Sequence, residues 1–228
     1  MTGVPALRVL TIAGSDSSGG AGIVADIKAI SDHGLRAACA ITAVTAQSSS
    51  QVGHIHPVPE ESLRAQLETA LSDGVAAIKI GMLVDAARIN CIASVLQSLS
   101  QRPPIVLDPV LRSTSGTALV KPQAVATLIE LLLPLVTVAT PNASEAPLLP
   151  DTACPLLITG GDIDGDMVTD VLVHEGRELQ RWTGNRVAGT FRGTGCTLSS
   201  AIAARLALGS SLPQAIEGAI AYVRERMR

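Results

Sequence analysis

The chain has 228 residues, 47% hydrophobic and 16% charged, with a formal net charge of −3. That balance builds a packed core and excludes an intrinsically disordered polypeptide. Aromatic residues are limited to Phe191, Trp182 and Tyr222, and no basic run exceeds the terminal RERMR, so neither base stacking nor phosphate-backbone binding to a nucleic acid is expected.

In chain order, Arg8 to Ala13 is a short apolar run that ends at Gly14 and opens into a Ser/Gly loop. GIVADIKAISDHG follows with helical spacing and a glycine stop, so the opening reads as strand, loop and helix. Ala37 to Ala46 is a second buried strand, Glu60 to Ser72 a helix, Val75 to Ile80 a strand and Asp85 to Ser100 a helix. Ile105 to Leu107 runs as a strand into Asp108, Lys121 to Leu133 is helical, and Leu135 to Ala139 and Leu156 to Ile158 are strands. This alternation predicts an α/β fold with a mostly parallel sheet covered by helices on both faces. The rhythm then changes, because DVLVHEGRELQRW is two alternating runs around a Glu-Gly turn, which predicts an antiparallel hairpin at a sheet edge. A Gly-rich helix from about Gly193 and a last helix from Leu212 to about Met227 close what reads as one domain spanning 1–228.

Open parallel sheets bind ligands beyond the carboxyl ends of their strands, and the polar residues cluster there. FRGTGCTLSSAIAA carries the sharpest of these clusters. Gly193 and Gly195 allow close backbone approach, Thr194 can cap, and the first turn of the helix presents unpaired N–H groups that suit an anion. Cys196 lies in the same field, where a thiol is expected to lose its proton more easily than a free one. No GxxxxGK[ST] motif occurs, and the loose Gly20-x-Gly22-x-x-Ala25 match lacks the acidic residue after the second strand that dinucleotide binding needs. Asp108 and Glu145, each just past an apolar run, would suffice for a magnesium ion that arrives with a nucleotide. Cys39, Cys91, Cys154 and Cys196 form no CxxC pair, so neither a zinc site nor disulfides are inferred, and His54 and His56 are expected on a solvated loop. The first residues lack the pattern of a signal peptide and no stretch is long enough to span a bilayer, which makes a cytoplasmic protein without membrane partners the expectation.

With TIAGSDSSGGAGIVADIKA, ITAVTAQSS, AIKIGML, IVLDPV, TPNASEA and GTGCTLSSAIAARLALG in that order, the chain resembles the hydroxymethylpyrimidine and phosphomethylpyrimidine kinases of thiamine biosynthesis. They form a branch of the ribokinase superfamily, and the similarity covers nearly the whole chain. Pyridoxal kinases share the fold, but GSDSSGGAG and the TAQ segment look more like the pyrimidine branch. The resemblance implies a ribokinase-like three-layer αβα fold and transfer of the γ-phosphoryl of Mg-ATP to 4-amino-5-hydroxymethyl-2-methylpyrimidine and then to its monophosphate. It also implies that Gly14, Asp26, Gln47 and Met82 hold the pyrimidine. Gly193, Thr194, Gly195 and Cys196 would supply the anion hole and the base. Asn142, Thr159 and Gly161 would lie along the nucleotide, with Asp108 and Glu145 around the metal. Family members are often dimers, although no residue here independently signals a homodimer.

Three departures fall on the nucleotide half. The family's KGGH is ITGGD here, so Thr159 replaces a lysine and Asp162 adds a negative charge. Residues 146–155 are short and hold three prolines, which discourages a helix. Arg192 stands where a histidine is usual and Thr114 where a lysine is usual, leaving Arg112 and Arg192 as candidates to restore positive charge. A pyrimidine-binding protein that has lost phosphoryl transfer is the alternative these departures raise.

Overall fold

The computed structural model describes residues 7–48, 51–111 and 120–228. Arg112 and Thr114 lie outside the described residues. The chain runs through β1 (Arg8–Asp16), α1 (Gly22–Asp32), β2 (Arg36–Gln47), β3 (Val52–Pro57), α2 (Glu60–Ser72), β4 (Ala77–Ile80), α3 (Ala86–Gln97) and β5 (Ile105–Leu107). It continues through α4 (Pro122–Thr127), β6 (Val138–Ala139), β7 (Leu156–Ile158), β8 (Met167–His174), β9 (Arg177–Asn185), α5 (Thr194–Ala207) and α6 (Leu212–Arg226). The strands form one nine-stranded sheet in the order β3-β2-β1-β4-β5-β6-β7-β8-β9. Pairing is parallel from β2 across to β7, and antiparallel at β2/β3, β7/β8 and β8/β9.

Side chains that alternate along the strands fill two large cores, one on each face of the sheet, beside a small cluster of Ala43, Met82 and Val84. Leu10, Ile12, Ile78, Ile80, Ile105 and Leu107 pack with Leu63 and Leu67 of α2 and Ile89 and Ile92 of α3. Val9, Ala77 and Val106, their neighbours on the strands, pack with Ile30 of α1, Ala201 and Ile202 of α5 and Ile216 and Ala219 of α6. The three layers and the expected β8–β9 hairpin are therefore present, with Glu175 and Gly176 both at positive φ (51° and 71°), as a two-residue primed turn requires.

Two elements differ from expectation. His54 and His56 lie on β3, an exposed edge strand paired antiparallel with β2, and not on a loop. Helix α4 ends at Thr127 and gives way to a π-helical turn over Leu128–Leu132 and a 3₁₀ turn over Leu133–Leu135 that holds Pro134, so the following strand shrinks to Val138–Ala139. The proline-rich segment after Glu145 forms only a 3₁₀ turn, Ala146–Leu148.

Glycines bring separate segments of backbone into contact at the carboxyl edge of the sheet. A Cβ at Gly22 (φ 57°) would lie 2.3 Å from the Gly14 carbonyl oxygen, and one at Gly193 (φ 69°) 2.3 Å from that of Gly20. Gly193 is the N-cap of α5, so this contact aims the start of α5 at the first loop.

Gly160 makes a similar approach on the far side, where a Cβ would come within 2.2 Å of the Thr169 carbonyl oxygen on β8. Gly160→Ala is expected to destabilise the fold by about 2 kcal/mol. A thermal midpoint lowered by roughly 5 °C would report it, whereas an unchanged midpoint would contradict the close approach.

Candidate active site

A cleft of about 620 Å³ opens over the carboxyl ends of the strands. The strand order distributes its walls laterally. Gly14 near the end of β1, Gln47 at the end of β2 and Met82 just after β4 lie on one side, Asp108 sits after β5 at the centre, and Asn142, Glu145, Thr159 and Gly161 follow β6 and β7 on the other. The α5 turn Gly193, Thr194, Gly195 and Cys196 faces the same cleft. Of the residues expected at a site, Asp26 alone does not line it.

Asp26 is fully buried one layer below. Its Oδ2 accepts from Thr11 Oγ1 at 2.6 Å, and its Oδ1 accepts from Lys79 Nζ and Ser200 Oγ, each at 2.8 Å. The carboxylate thus has three donors inside the protein and is placed to support the floor of the cleft, not to touch a ligand within it. Thr11 and Lys79 are register neighbours on β1 and β4, and they point to the face covered by α1 and α5. Burial alone would push the Lys79 ammonium down, but the charges of Asp26, Cys196 and Asp108 hold it above the ordinary lysine range.

The first loop is built by backbone-directed polar bonds. Asp16 Oδ1 accepts from the Ser18 amide and hydroxyl, both at 2.8 Å, and Ser17 Oγ bonds the Gln47 backbone at 2.9 Å. Gln47 Oε1 has one long contact, 3.4 Å from Thr45 Oγ1, which leaves its amide available to a ring edge. Met82 is nearly buried, and its sulfur would lie 2.8 Å from a Cβ at Gly14, so the glycine makes room for the thioether. Arg192 directs Nη1 to Ser18 Oγ (2.9 Å) and Nη2 toward Asp16 (3.5 Å), so its charge serves the first loop.

Cys196, Ser199 and Ser200 share one face of α5, at the i, i+3 and i+4 spacing. Contrary to the expectation of an acidic thiol, desolvation pushes Cys196 up to about 12. Lys79 and the Gly22 amide lower it, while Asp108 and Asp26 raise it. The field of the helix terminus is outweighed because protein packs closely around the half-buried thiol at the wall of the cleft and two carboxylates act on it. Desolvation also raises Asp108, against the pull of Lys79 and hydrogen bonds from Ser199 (3.3 Å) and Cys196.

On the far side, Asn142 Oδ1 accepts from the Ser144 and Glu145 amides, and Glu145 returns bonds to the amides of Leu111 (3.0 Å) and Asn142 (3.1 Å). Thr159 donates its amide to the Pro141 carbonyl at 2.9 Å. Arg186 donates to the carbonyls of Gly161 (2.8 Å), Ile163 and Gly165 (2.7 Å), which straps down the 161–165 loop. Asp162 and Arg186 both line the cleft, and Asp170, below them, accepts from the Gly160 amide at 3.0 Å.

No group of three or more His, Cys, Asp or Glu side chains that could hold a metal occurs among the described residues. Asp108 and Glu145 together fit a hard cation that brings phosphate and water oxygens with it, since such a cation takes one or two protein carboxylates. Sequence reasoning left Lys79 unassigned and did not single out Asp170, Arg186, Ser199 or Ser200. For Lys79 a signal was present: a lysine inside the apolar run AIKIG needs a buried counter-charge.

A family model described as phosphomethylpyrimidine kinase matches residues 16–155 and 147–228. The hydroxymethylpyrimidine/phosphomethylpyrimidine kinase of Rhizobium meliloti is 42% identical over 94% of this chain and 88% of its own length. The crystal structure of phosphomethylpyrimidine kinase from Clostridium difficile superposes with a TM-score of 0.81 at 34% identity, covering 97% of this chain and 100% of that one. The pyridoxal kinase from Staphylococcus aureus in complex with pyridoxal gives a TM-score of 0.86 at 31% identity, covering 96% and 87%. No helix of the described residues is long and apolar enough to cross a membrane.

Glu145 supplies a pH test. Desolvation pushes its carboxyl from an ordinary 4.5 up to about 7, against the Leu111 and Asn142 amides that lower it. The native state therefore keeps a proton that the unfolded chain releases, and stability falls as pH rises through this window. Chemical denaturation of Glu145→Gln between pH 5 and 8 is expected to lack this decline, so wild type loses about 2 kcal/mol relative to the variant over that range. Parallel profiles would remove the assignment.

Proposed function

Because the chain belongs to the phosphomethylpyrimidine kinase family, we propose that its cleft performs that family's reaction with the residues described above. The protein is an ATP-dependent kinase of thiamine biosynthesis, acting on hydroxymethylpyrimidine and on its monophosphate. The observation that carries the assignment of roles is the placement of the α5 turn over β5, between a wall suited to an aminopyrimidine and a wall of backbone-rich loops.

On the first wall Gln47 donates to and accepts from the aminopyrimidine edge, while Met82 packs against the ring and Gly14 keeps the space open. The hydroxymethyl group then lies toward α5, and ATP lies along Asn142, Thr159 and Gly161 with its γ-phosphate at the α5 turn. In the reaction the hydroxymethyl oxygen forms a bond to the γ-phosphorus as the bond to the bridging oxygen of ADP breaks. The amides at the start of α5 donate to the oxygens of the transferring group, which carry the charge in a loose transition state. Cys196 takes the hydroxymethyl proton. On Cys196 itself, Lys79 and the Gly22 amide favour the thiolate that this step requires, while desolvation and the charges of Asp108 and Asp26 oppose it. Magnesium would be held by Asp108 and Glu145 together with the nucleotide phosphates, and would supply charge neutralisation there.

The nucleotide wall is less cationic than the family pattern implies. Thr159 brings no charge, Asp162 adds a negative one, and Arg186 has donors on three carbonyls of the loop. Asp162→Asn is expected to lower the KM for Mg-ATP about threefold at unchanged KM for the pyrimidine. A raised KM would show that Asp162 contributes to nucleotide binding.

The reading is tested by chromatographic detection of phosphorylated product from hydroxymethylpyrimidine, from its monophosphate and from pyridoxal, each with Mg-ATP. Product from both pyrimidines is expected, whereas product from pyridoxal alone would move the chain to a different vitamin. Cys196→Ala is expected to lower kcat by about 100-fold or more, with the pyrimidine KM within a few-fold. Undiminished turnover would assign the base elsewhere.

A further inference from the structure

The layer between the sheet and α1/α5 is apolar along most of its length, with Val9, Ala77, Val106, Ala201 and Ile202 all buried in it. Thr11, Asp26, Lys79 and Ser200 interrupt it, one from each of β1, α1, β4 and α5, and each is wholly buried. A salt bridge in such a place is poor evidence for stability, because well-packed apolar groups of the same volume commonly serve as well or better. Its presence in this layer calls for another account.

The quartet is asymmetric. Asp26 accepts three hydrogen bonds, from Thr11, Ser200 and Lys79, so its negative charge is dispersed over three donors. Lys79 has a single hydrogen-bond partner among the described residues, and two of its N–H bonds remain uncommitted. Although fully buried, Lys79 contributes to the floor of the cleft, and a Cβ at Gly81 would lie 2.8 Å from Nζ, so a glycine preserves the space beside the ammonium. Among the described residues, Lys79 is the cation whose charge lowers both Cys196 and Asp108.

We propose that Lys79 is a positioning residue of the phosphoryl-transfer site: Asp26 fixes its ammonium under Asp108 and the start of α5, where its charge acts through Cys196 and Asp108 on the negative charge that develops during transfer. The quartet is then an electrostatic floor, preorganised by folding and acting without contact with either substrate. Its role is realised in the transition state more than in the ground state, so it governs kcat and leaves pyrimidine binding nearly unchanged. The inference rests on the phosphoryl-transfer reading of the cleft.

The test uses Lys79→Met/Asp26→Asn, which removes both charges at nearly constant volume, alongside Ser200→Ala, which removes one donor from Asp26 and leaves the pair intact. The double variant is expected to keep its thermal midpoint within a few degrees of wild type and its pyrimidine KM within threefold, while kcat falls about 10- to 100-fold. For Ser200→Ala a smaller fall of about threefold in kcat is expected at unchanged KM, because the anion is then less dispersed. A kcat within twofold of wild type in both variants overturns the proposal and leaves the quartet a packing feature. If the double variant does not fold, Ser200→Ala alone decides: lower kcat at constant KM supports the proposal, and a lower midpoint with unchanged kcat overturns it. Wild-type protein that forms no phosphorylated product refutes the kinase reading itself, a result separable from either.

Discussion

A buried ammonium and carboxylate, Lys79 and Asp26 at 2.8 Å, connect the centre of the sheet to the helices that carry the site. Neither charge is tolerable alone in an apolar layer, so each fixes the other. The pair also fixes register: Lys79 is opposite Thr11 on β1, and both reach the same carboxylate on α1, while Ser200 reaches it from α5. Since Cys196 lies one turn before Ser200, docking Ser200 on Asp26 also sets where the α5 turn meets the cleft.

The two walls of the cleft are built by different means. On the β1/β2 side, short polar side chains lock a glycine-rich loop to the neighbouring strand, and the remaining freedom belongs to the side chains of Gln47 and Met82. On the β6/β7 side the polar side chains serve the main chain: Asn142 and Glu145 bond each other's turn, and Arg186 holds three carbonyls. The first wall can recognise the shape and edge of a ring. The second offers amides and little charge, so in the proposed reaction phosphate binding there would rely on dipoles and on a divalent cation brought with the nucleotide.

Much of this was legible in the residues before any fold was known. The change from alternating strands and helices to two runs around Glu175-Gly176 announced a parallel sheet with an antiparallel hairpin, and β8 and β9 form it. Strand β3 was missed because VGHIHP has neither regular alternation nor burial: it is an edge strand formed by pairing with β2, a tertiary effect. Motif resemblance found the cleft-lining residues, but not their environment. Asp26 was expected to meet the ligand because the resemblance implied it; the partner that draws it inward, Lys79, is 53 residues away. Cys196 was expected to be acidic from its place at a helix start, whereas the packing around the half-buried thiol and the nearness of Asp108 depend on how β5 and α5 meet.

The contacts of Gly22 with Gly14 and of Gly193 with Gly20 join segments that lie up to 173 residues apart, main chain against main chain. A side chain arriving at Gly22 or Gly193 would have to displace the backbone of a different loop, so a single substitution meets a barrier that only a concerted change elsewhere relieves. Such a corner tolerates change around its rim far better than at its centre, where the two main chains touch.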